Sequence, residues 1–229
     1  MSSSYQCTQE DFLKEIDGRA MTVMRNDGLS RHIRFKRPGS STYWFDLITW
    51  PGTLCIDGDM GTYVFRRLDD MFEFFRTDSI YWDGGDKELR INPGYWGEKL
   101  QAMPDKGFKE FSPALFRANV KDYFDNWVES NQPNEDDKPE VITAFDKLKA
   151  TLWEDLENEV LLNDHYSDCL AISAAMDFEC SDVPSFNMHD FYEHRNTDYT
   201  THFIWCCYAI AWGIKTYDQS VAISQGGAL

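Results

Sequence analysis

The sequence lacks the short motifs that mark most nucleotide-binding and hydrolytic sites. It contains neither the phosphate-binding pattern G-x-x-x-x-G-K nor the dinucleotide-binding pattern G-x-G-x-x-G, and it has no G-x-S-x-G nucleophile elbow. The six cysteines form no C-x-x-C pair, and His189 and His194 are five residues apart, whereas a helical zinc pair needs a spacing of four. We therefore expect no cofactor, and we expect reduced thiols in a cytosolic protein.

The sequence also lacks a long hydrophobic run. The longest apolar stretch, residues 203–214, is well short of the roughly 20 residues that a helix needs to cross a bilayer. The N-terminus is polar and acidic, where a secretory signal would have a cationic segment followed by an apolar one. We therefore expect a cytoplasmic protein that does not associate with membranes.

Positive charge is scarce in one region of the chain. The net charge is −17, but residues 1–120 hold 16 Lys/Arg against 18 Asp/Glu, whereas residues 121–200 hold 5 against 20. Such an acidic field repels nucleic acid and attracts basic protein surfaces. The expected partner is a protein with a basic surface, with no direct contact to nucleic acid. The alternative is that the acidic region is only a solvated helical surface.

The N-terminal half has the pattern of an antiparallel sheet. Residues 43–50 are aromatic and β-branched, Pro51-Gly52 is typical of a type II turn, and Gly61 permits a second reversal before residues 62–65. Asn26-Asp27-Gly28 predicts a further hairpin. A capped helix is expected after Thr8, and another where the apolar period becomes helical at residues 68–75. The N-terminal half is therefore predicted to form about five strands with a short helix.

The C-terminal half has the pattern of helices. Ser112 before Pro113 predicts a helix start, and residues 131–138 form a polar connector. Residues 170–178 and 184–195 are further candidate helices, and residues 199–217 have the composition of a buried helix. Before this region, a turn is expected at residues 82–86. One apolar stripe at helical spacing comprises Val141, Ile142, Phe145, Leu148, Leu152, Leu156, Val160 and Leu161. The predicted fold class is α+β, with a sheet region at 1–110 and an acidic helical region at 111–229 in one compact unit.

Three aspartates suggest a possible metal site. Asp57 and Asp59 follow a strand, and Asp46 lies on the strand paired with it, so three carboxylates could meet at one edge and bind a divalent cation. The chain would then be a metal-dependent phosphoesterase or nuclease acting on nucleotides or nucleic acid. The alternative is that these side chains serve turn geometry.

Aromatic and basic residues alternate on the same predicted sheet. With Arg34 and Arg66, the rings of this sheet could stack against nucleotides or single strands. The alternative is that Tyr43, Phe45, Leu47, Tyr63 and Phe65 form the core face.

Six segments resemble a family of functionally uncharacterised proteins encoded by bacteriophages and prophages. They are RHIRF (31–35), FDLITWPG (45–52), GDMGTYVF (58–65), DMFEFFR (70–76), INPGYW (91–96) and FIWCCY (203–208). The likeness covers most of the chain and is least clear between Asn131 and Pro184. It implies a small accessory phage protein that acts in the host cytoplasm, where such proteins often inhibit bacterial defence. It implies no catalytic residues.

The favoured hypothesis is a non-enzymatic inhibitor that uses its acidic surface to block a host defence or nucleic-acid-handling complex. B-DNA presents one charge per roughly 1.7 Å of its axis, and clustered helical carboxylates can imitate that field. The partner-binding residues expected from the pattern are Glu135, Asp136, Asp137, Glu154, Asp155 and Glu157.

Overall fold

The computed structural model describes residues 7–80, 89–164 and 167–226, which form an α+β fold. The described residues up to Glu110, together with those from Tyr199 onward, form one compact unit, and Phe111–Asp198 form a second. The turn predicted at residues 82–86 lies outside the described residues.

The first unit is built on a six-stranded antiparallel sheet in which strands adjacent in sequence are adjacent in space. The strands are β1 (Ala20–Asp27), β2 (Ser30–Lys36), β3 (Phe45–Trp50), β4 (Thr53–Gly58), β5 (Tyr63–Arg66) and β6 (Leu100–Ala102). The predicted antiparallel sheet is therefore confirmed. The sixth strand was not predicted, because three residues are too few to show an alternating pattern.

Two predicted turns have the backbone conformation that their glycines were expected to supply. Gly28 between β1 and β2 has φ of 59°, and Gly52 between β3 and β4 has φ of 81°. Both turns fix the register of their hairpins next to the turn, so that Asp27 faces Ser30 and Trp50 faces Thr53. That register turns the apolar residues of three central strands to one face, where Ile33, Phe35, Phe45, Leu47, Leu54 and Ile56 are all buried.

Four helices belong to this unit: α1 (Gln9–Glu15), α2 (Met71–Ile80), α3 (Pro93–Gly97) and α7 (Thr201–Gly226). As predicted, α1 begins with a capping box between Thr8 and Asp11. The carboxylate of Glu15 accepts hydrogen bonds from the Trp205 indole at 2.8 Å and from the Tyr43 hydroxyl at 2.9 Å. This pair of contacts joins α1 to α7 and to the segment preceding β3.

Helix α7 lies directly against the sheet. A Cβ atom at Gly213 would be 2.8 Å from Leu47 Cδ1 and 3.1 Å from Phe35 Cε2, closer than packed atoms approach. The helix therefore belongs to the sheet unit, which corrects the expectation that residues 111–229 form one helical region. The buried helix predicted at residues 199–217 extends further than expected, since α7 continues to Gly226. Among the described residues, no helix is long and apolar enough to cross a membrane.

The second unit is helical and has its own core. It contains α4 (Pro113–Asn131), α5 (Pro139–Asp155) and α6 (Asp168–Met176), with a π-helical turn at Leu156–Val160 and 3-10 turns at Leu161–Asn163 and Phe191–Glu193. Ser112 caps α4 by accepting a hydrogen bond from the Leu115 amide, as predicted. The helix expected at 184–195 is reduced to the second 3-10 turn. Two short strands, β7 (Lys109–Phe111) and β8 (Thr197–Tyr199), lie where the chain passes between the units.

The turn at Gly52 gives a direct test of the hairpin. Replacing Gly52 with valine should destabilise the protein by about 1–2 kcal/mol, because a β-branched residue is strained at positive φ. Space is not the cause, since a Cβ atom there would meet nothing within 4 Å. Thermal and denaturant unfolding measure the loss, and Gly52→Asn, which tolerates this conformation, should restore most of it. A valine variant as stable as the wild type would contradict this account of the turn.

Candidate functional site

Asp46 is the most enclosed carboxylate on the sheet. It lies on β3, opposite Arg34 on one side and Asp57 on the other, and its residue is only 3% exposed. Arg34 donates two hydrogen bonds to it, both at 2.8 Å, and His32 Nε2 lies 2.8 Å from Oδ2. The Asp46 carboxylate is thus fully occupied by two side chains of β2.

These contacts determine the ionisation of Asp46. Burial alone would raise the pKa of this carboxyl, but the hydrogen bonds from Arg34 and His32 outweigh burial and hold the pKa below its ordinary value of 3.8. Asp46 is therefore a charged acceptor that joins two strands, and its oxygens are not free for a metal ion.

The other two aspartates of the proposed metal site face different partners. Asp57 accepts a hydrogen bond from the Thr62 hydroxyl at 2.5 Å, and Asp59 accepts one from the Tyr43 amide at 2.7 Å. Within the described part of the chain, no group of three or more His, Cys, Asp or Glu side chains could hold a metal ion. The metal site predicted from Asp46, Asp57 and Asp59 is therefore wrong, because the three side chains do not form a group that could hold a cation. Its carboxylates serve strand pairing and turns instead.

In the β1–β2 hairpin, two arginines pair with neighbouring carboxylates. Arg31 donates to Asp70 at 2.8 and 3.0 Å and lies over the Phe72 ring, with an exposed side-chain fraction of 11%. Arg25 pairs with Asp27 at 3.1 Å. The Arg31–Asp70 pair joins β2 to the residue that precedes α2, so this guanidinium serves the packing of the sheet unit.

The aromatic residues of the sheet belong to the core. Phe45, Tyr63 and Phe65 are each at most 1% exposed, and Leu47 is fully buried. The core alternative is therefore confirmed for these four residues, and they cannot form a stacking platform. Arg66 donates a long hydrogen bond from its Nε to the Thr53 hydroxyl, with an N–O distance of 3.4 Å.

The excess negative charge lies on the second unit. Residues 111–198 contain 6 Lys/Arg and 20 Asp/Glu, which gives a net charge of −14. Sixteen of those 20 carboxylates are exposed, and only Asp164 is buried, beside Arg117. Exposed carboxylates retain their hydration and their long-range field, so this unit is the strongly charged surface of the protein.

The six predicted partner-binding residues differ in their surroundings. Glu135, Asp136, Glu154 and Glu157 are exposed. Asp137 is half-buried and accepts a hydrogen bond from the Asn134 amide at 2.7 Å. Asp155 is also half-buried and accepts a hydrogen bond from the Cys180 thiol, with a sulfur–oxygen distance of 3.4 Å. Four of the six are therefore surface charges, whereas the other two help to fix local structure.

The six residues also fall into two groups at opposite ends of α5. With a rise of about 1.5 Å per residue, the first turn of α5 and Glu154 are separated by roughly 23 Å. Charges at this distance act almost independently, because the Debye length at physiological salt is about 8 Å. Lys147 and Lys149 are exposed between them. The structure thus provides two acidic sites rather than one continuous row of six charges.

Sequence reasoning missed two features. His32 and Arg34 are two residues apart on β2 and flank Asp46, a spacing that identifies the ion cluster only once the strand register is known. The apolar stripe predicted from Val141 to Leu161 is also buried unevenly, since Val141 is 48% exposed and Leu148 is 38% exposed, whereas Leu152 is fully buried. The stripe is therefore covered only in its C-terminal half.

Comparisons of the chain with protein-family models, with curated proteins and with solved structures find no match. Any functional conclusion must therefore come from the residues themselves.

The Asp46 cluster predicts a pH-dependent stability difference. Asp46→Asn should lower the free energy of unfolding at pH 7 by about 1–3 kcal/mol, because charged hydrogen bonds to Arg34 and His32 are lost. Since the folded-state pKa lies below the unfolded one, the wild-type advantage is present above pH 4 and is lost as pH falls through the folded-state value. Urea unfolding from pH 7 to pH 3 measures it. Asp57→Asn, which affects a single hydroxyl contact, is the control and should cost less. A difference independent of pH would contradict the assignment.

Proposed function

We propose that this protein is a non-enzymatic binding protein whose acidic unit occupies a basic surface on a host protein. The phage-type context implied by the sequence makes an inhibitor of a defence or nucleic-acid-handling complex the expected class. The observation that carries the proposal is the exposure of 16 of the 20 carboxylates in Phe111–Asp198.

The distribution of ion pairs supports a role in recognition. On the sheet, Arg31 pairs with Asp70 and Arg34 with Asp46, and both carboxylates are held below their ordinary pKa, although burial opposes this. On the acidic unit, Glu135, Asp136, Glu154 and Glu157 face solvent instead. A partner with a basic surface would be steered to them at long range, and the complex would weaken as salt is added.

The two acidic groups support a partner that contacts separate points rather than a uniform imitation of duplex DNA. B-DNA carries its charges continuously, about 1.7 Å apart along the axis. Here each group is local, and the segment between them, residues 139–153, carries no net charge, because Lys147 and Lys149 offset Glu140 and Asp146. The proposed partner therefore has discrete basic patches, such as those on a protein that binds nucleic acid.

Pairwise neutralisation tests the proposal without disturbing local structure. One variant combines Glu135→Gln with Asp136→Asn, and the other combines Glu154→Gln with Glu157→Gln; all four residues are exposed. The matched control, Glu179→Gln with Asp182→Asn, removes the same charge from exposed positions elsewhere in the unit. Each protein is immobilised and used to capture proteins from a bacterial lysate at increasing salt.

At least one neutralised pair should lose, by about tenfold or more, a protein that the wild type and the control both retain at low salt. Surface charges that steer association have effects of this size. Retention that is the same for all four proteins, or that does not respond to salt, would overturn the proposal. Quantitative mass spectrometry of the captured proteins measures the difference.

A further inference from the structure

The open part of the α5 stripe forms one wall of an apolar groove. Val141, Ala144 and Leu148 line it from α5, Asn131 lines it from the end of α4, and Pro133 lines it from the connector between the two helices. Its volume is about 410 Å³, within the range of ligand and side-chain pockets in proteins.

The floor of the groove contains a pair of stacked aromatic rings. Phe145 lines it and stacks on Trp127 of α4, with ring centroids 5.6 Å apart and an interplanar angle of 17°. Stacked rings pack an apolar surface that a partner can bury without reordering it. The groove is therefore preformed in the free protein.

Acidic residues are concentrated in the segment of sequence that contributes to this groove. Residues 129–141 contain five carboxylates and one lysine, which gives a net charge of −4. The carboxylates are Glu129, Glu135, Asp136, Asp137 and Glu140. Glu140 lines the groove itself, and Lys147 and Lys149 lie farther along α5. A cationic partner is favoured at the connector end, and an anionic one is disfavoured.

We propose that this groove binds an amphipathic helix of the partner, with apolar side chains in the groove and Lys/Arg against the acidic connector. Apolar contacts from a groove combined with charge at its rim are the means by which proteins recognise such helices. The proposal rests on the proposed function and specifies the chemistry of its partner. It assigns binding to one of the two acidic groups, the one at the N-terminal end of α5.

A designed peptide pair separates the groove from the charge. The first is a fluorescein-labelled helical peptide of about 18 residues, five helical turns, with leucine on one face and lysine on the other. The second has the same composition in scrambled order, so that its charge is unchanged but its apolar face is lost. Fluorescence anisotropy measures the affinity of the whole protein for each.

The wild type should bind the amphipathic peptide at least about tenfold more tightly than the scrambled one, which corresponds to about 1.4 kcal/mol. Val141→Ser with Leu148→Ser should abolish this preference while leaving the salt dependence intact, since no charge changes. The control, Leu162→Ser with Leu170→Ser, alters leucines that are 57% and 56% exposed and should keep the preference. Ala144→Gln, at an exposed position that fills the groove, should act like the groove variant even if the double variant is unstable.

Three outcomes would count against the groove proposal. Equal binding of both peptides by the wild type would overturn the groove proposal and leave the acidic function standing. A groove variant, or Ala144→Gln, that still prefers the amphipathic peptide would do the same. Failure of the wild type to bind either peptide would count against both proposals.

Discussion

The close approach of helix α7 to the sheet at Gly213 is the contact on which the rest of the structure depends. No side chain fits between the helix and Leu47 or Phe35, so the sheet obtains this part of its core from the last helix of the chain. In sequence, the acidic residues Phe111–Asp198 are consequently an insertion between the sheet and the helix that packs on it. They have their own buried core, which includes Phe116, Leu152 and Phe191. The core of this unit is thus separate from the core of the sheet unit.

The two units also differ in how their charged side chains are paired. Within the sheet unit, guanidinium groups pair with carboxylates across strands or between sheet and helix, as in Arg34 with Asp46 and Arg76 with Asp218. Partly buried charges require such partners, because leaving one unpaired costs several kcal/mol. Sixteen of the 20 carboxylates of the acidic unit remain exposed to water, where they cost little and act at a distance. The same residue types thus stabilise one unit and form an exposed, charged surface on the other.

Local features of the fold could be predicted from the sequence, whereas long-range ones could not. Gly28 and Gly52 specify their turns, and Thr8 and Ser112 specify helix starts, because each acts through backbone geometry within a few residues. The membership of α7 in the sheet unit depends on contacts more than 150 positions away in sequence, and no local pattern encodes it. The roles of Asp46 and Val141 were missed for the same reason. Strand register decided that Asp46 meets Arg34, and the packing of α5 within its unit left Val141 exposed.

The central claim is that function lies at the N-terminal half of α5, where an exposed apolar stripe meets the acidic connector. Methyl NMR of protein labelled at Ile, Leu and Val, titrated with the amphipathic peptide of leucine and lysine, tests this most directly. The account predicts that the largest shifts occur at Val141 and Leu148, with little change at Leu170 or at Val23 on the sheet. Shifts concentrated on Val23 and other residues of the sheet unit, with Val141 and Leu148 unchanged, would contradict it.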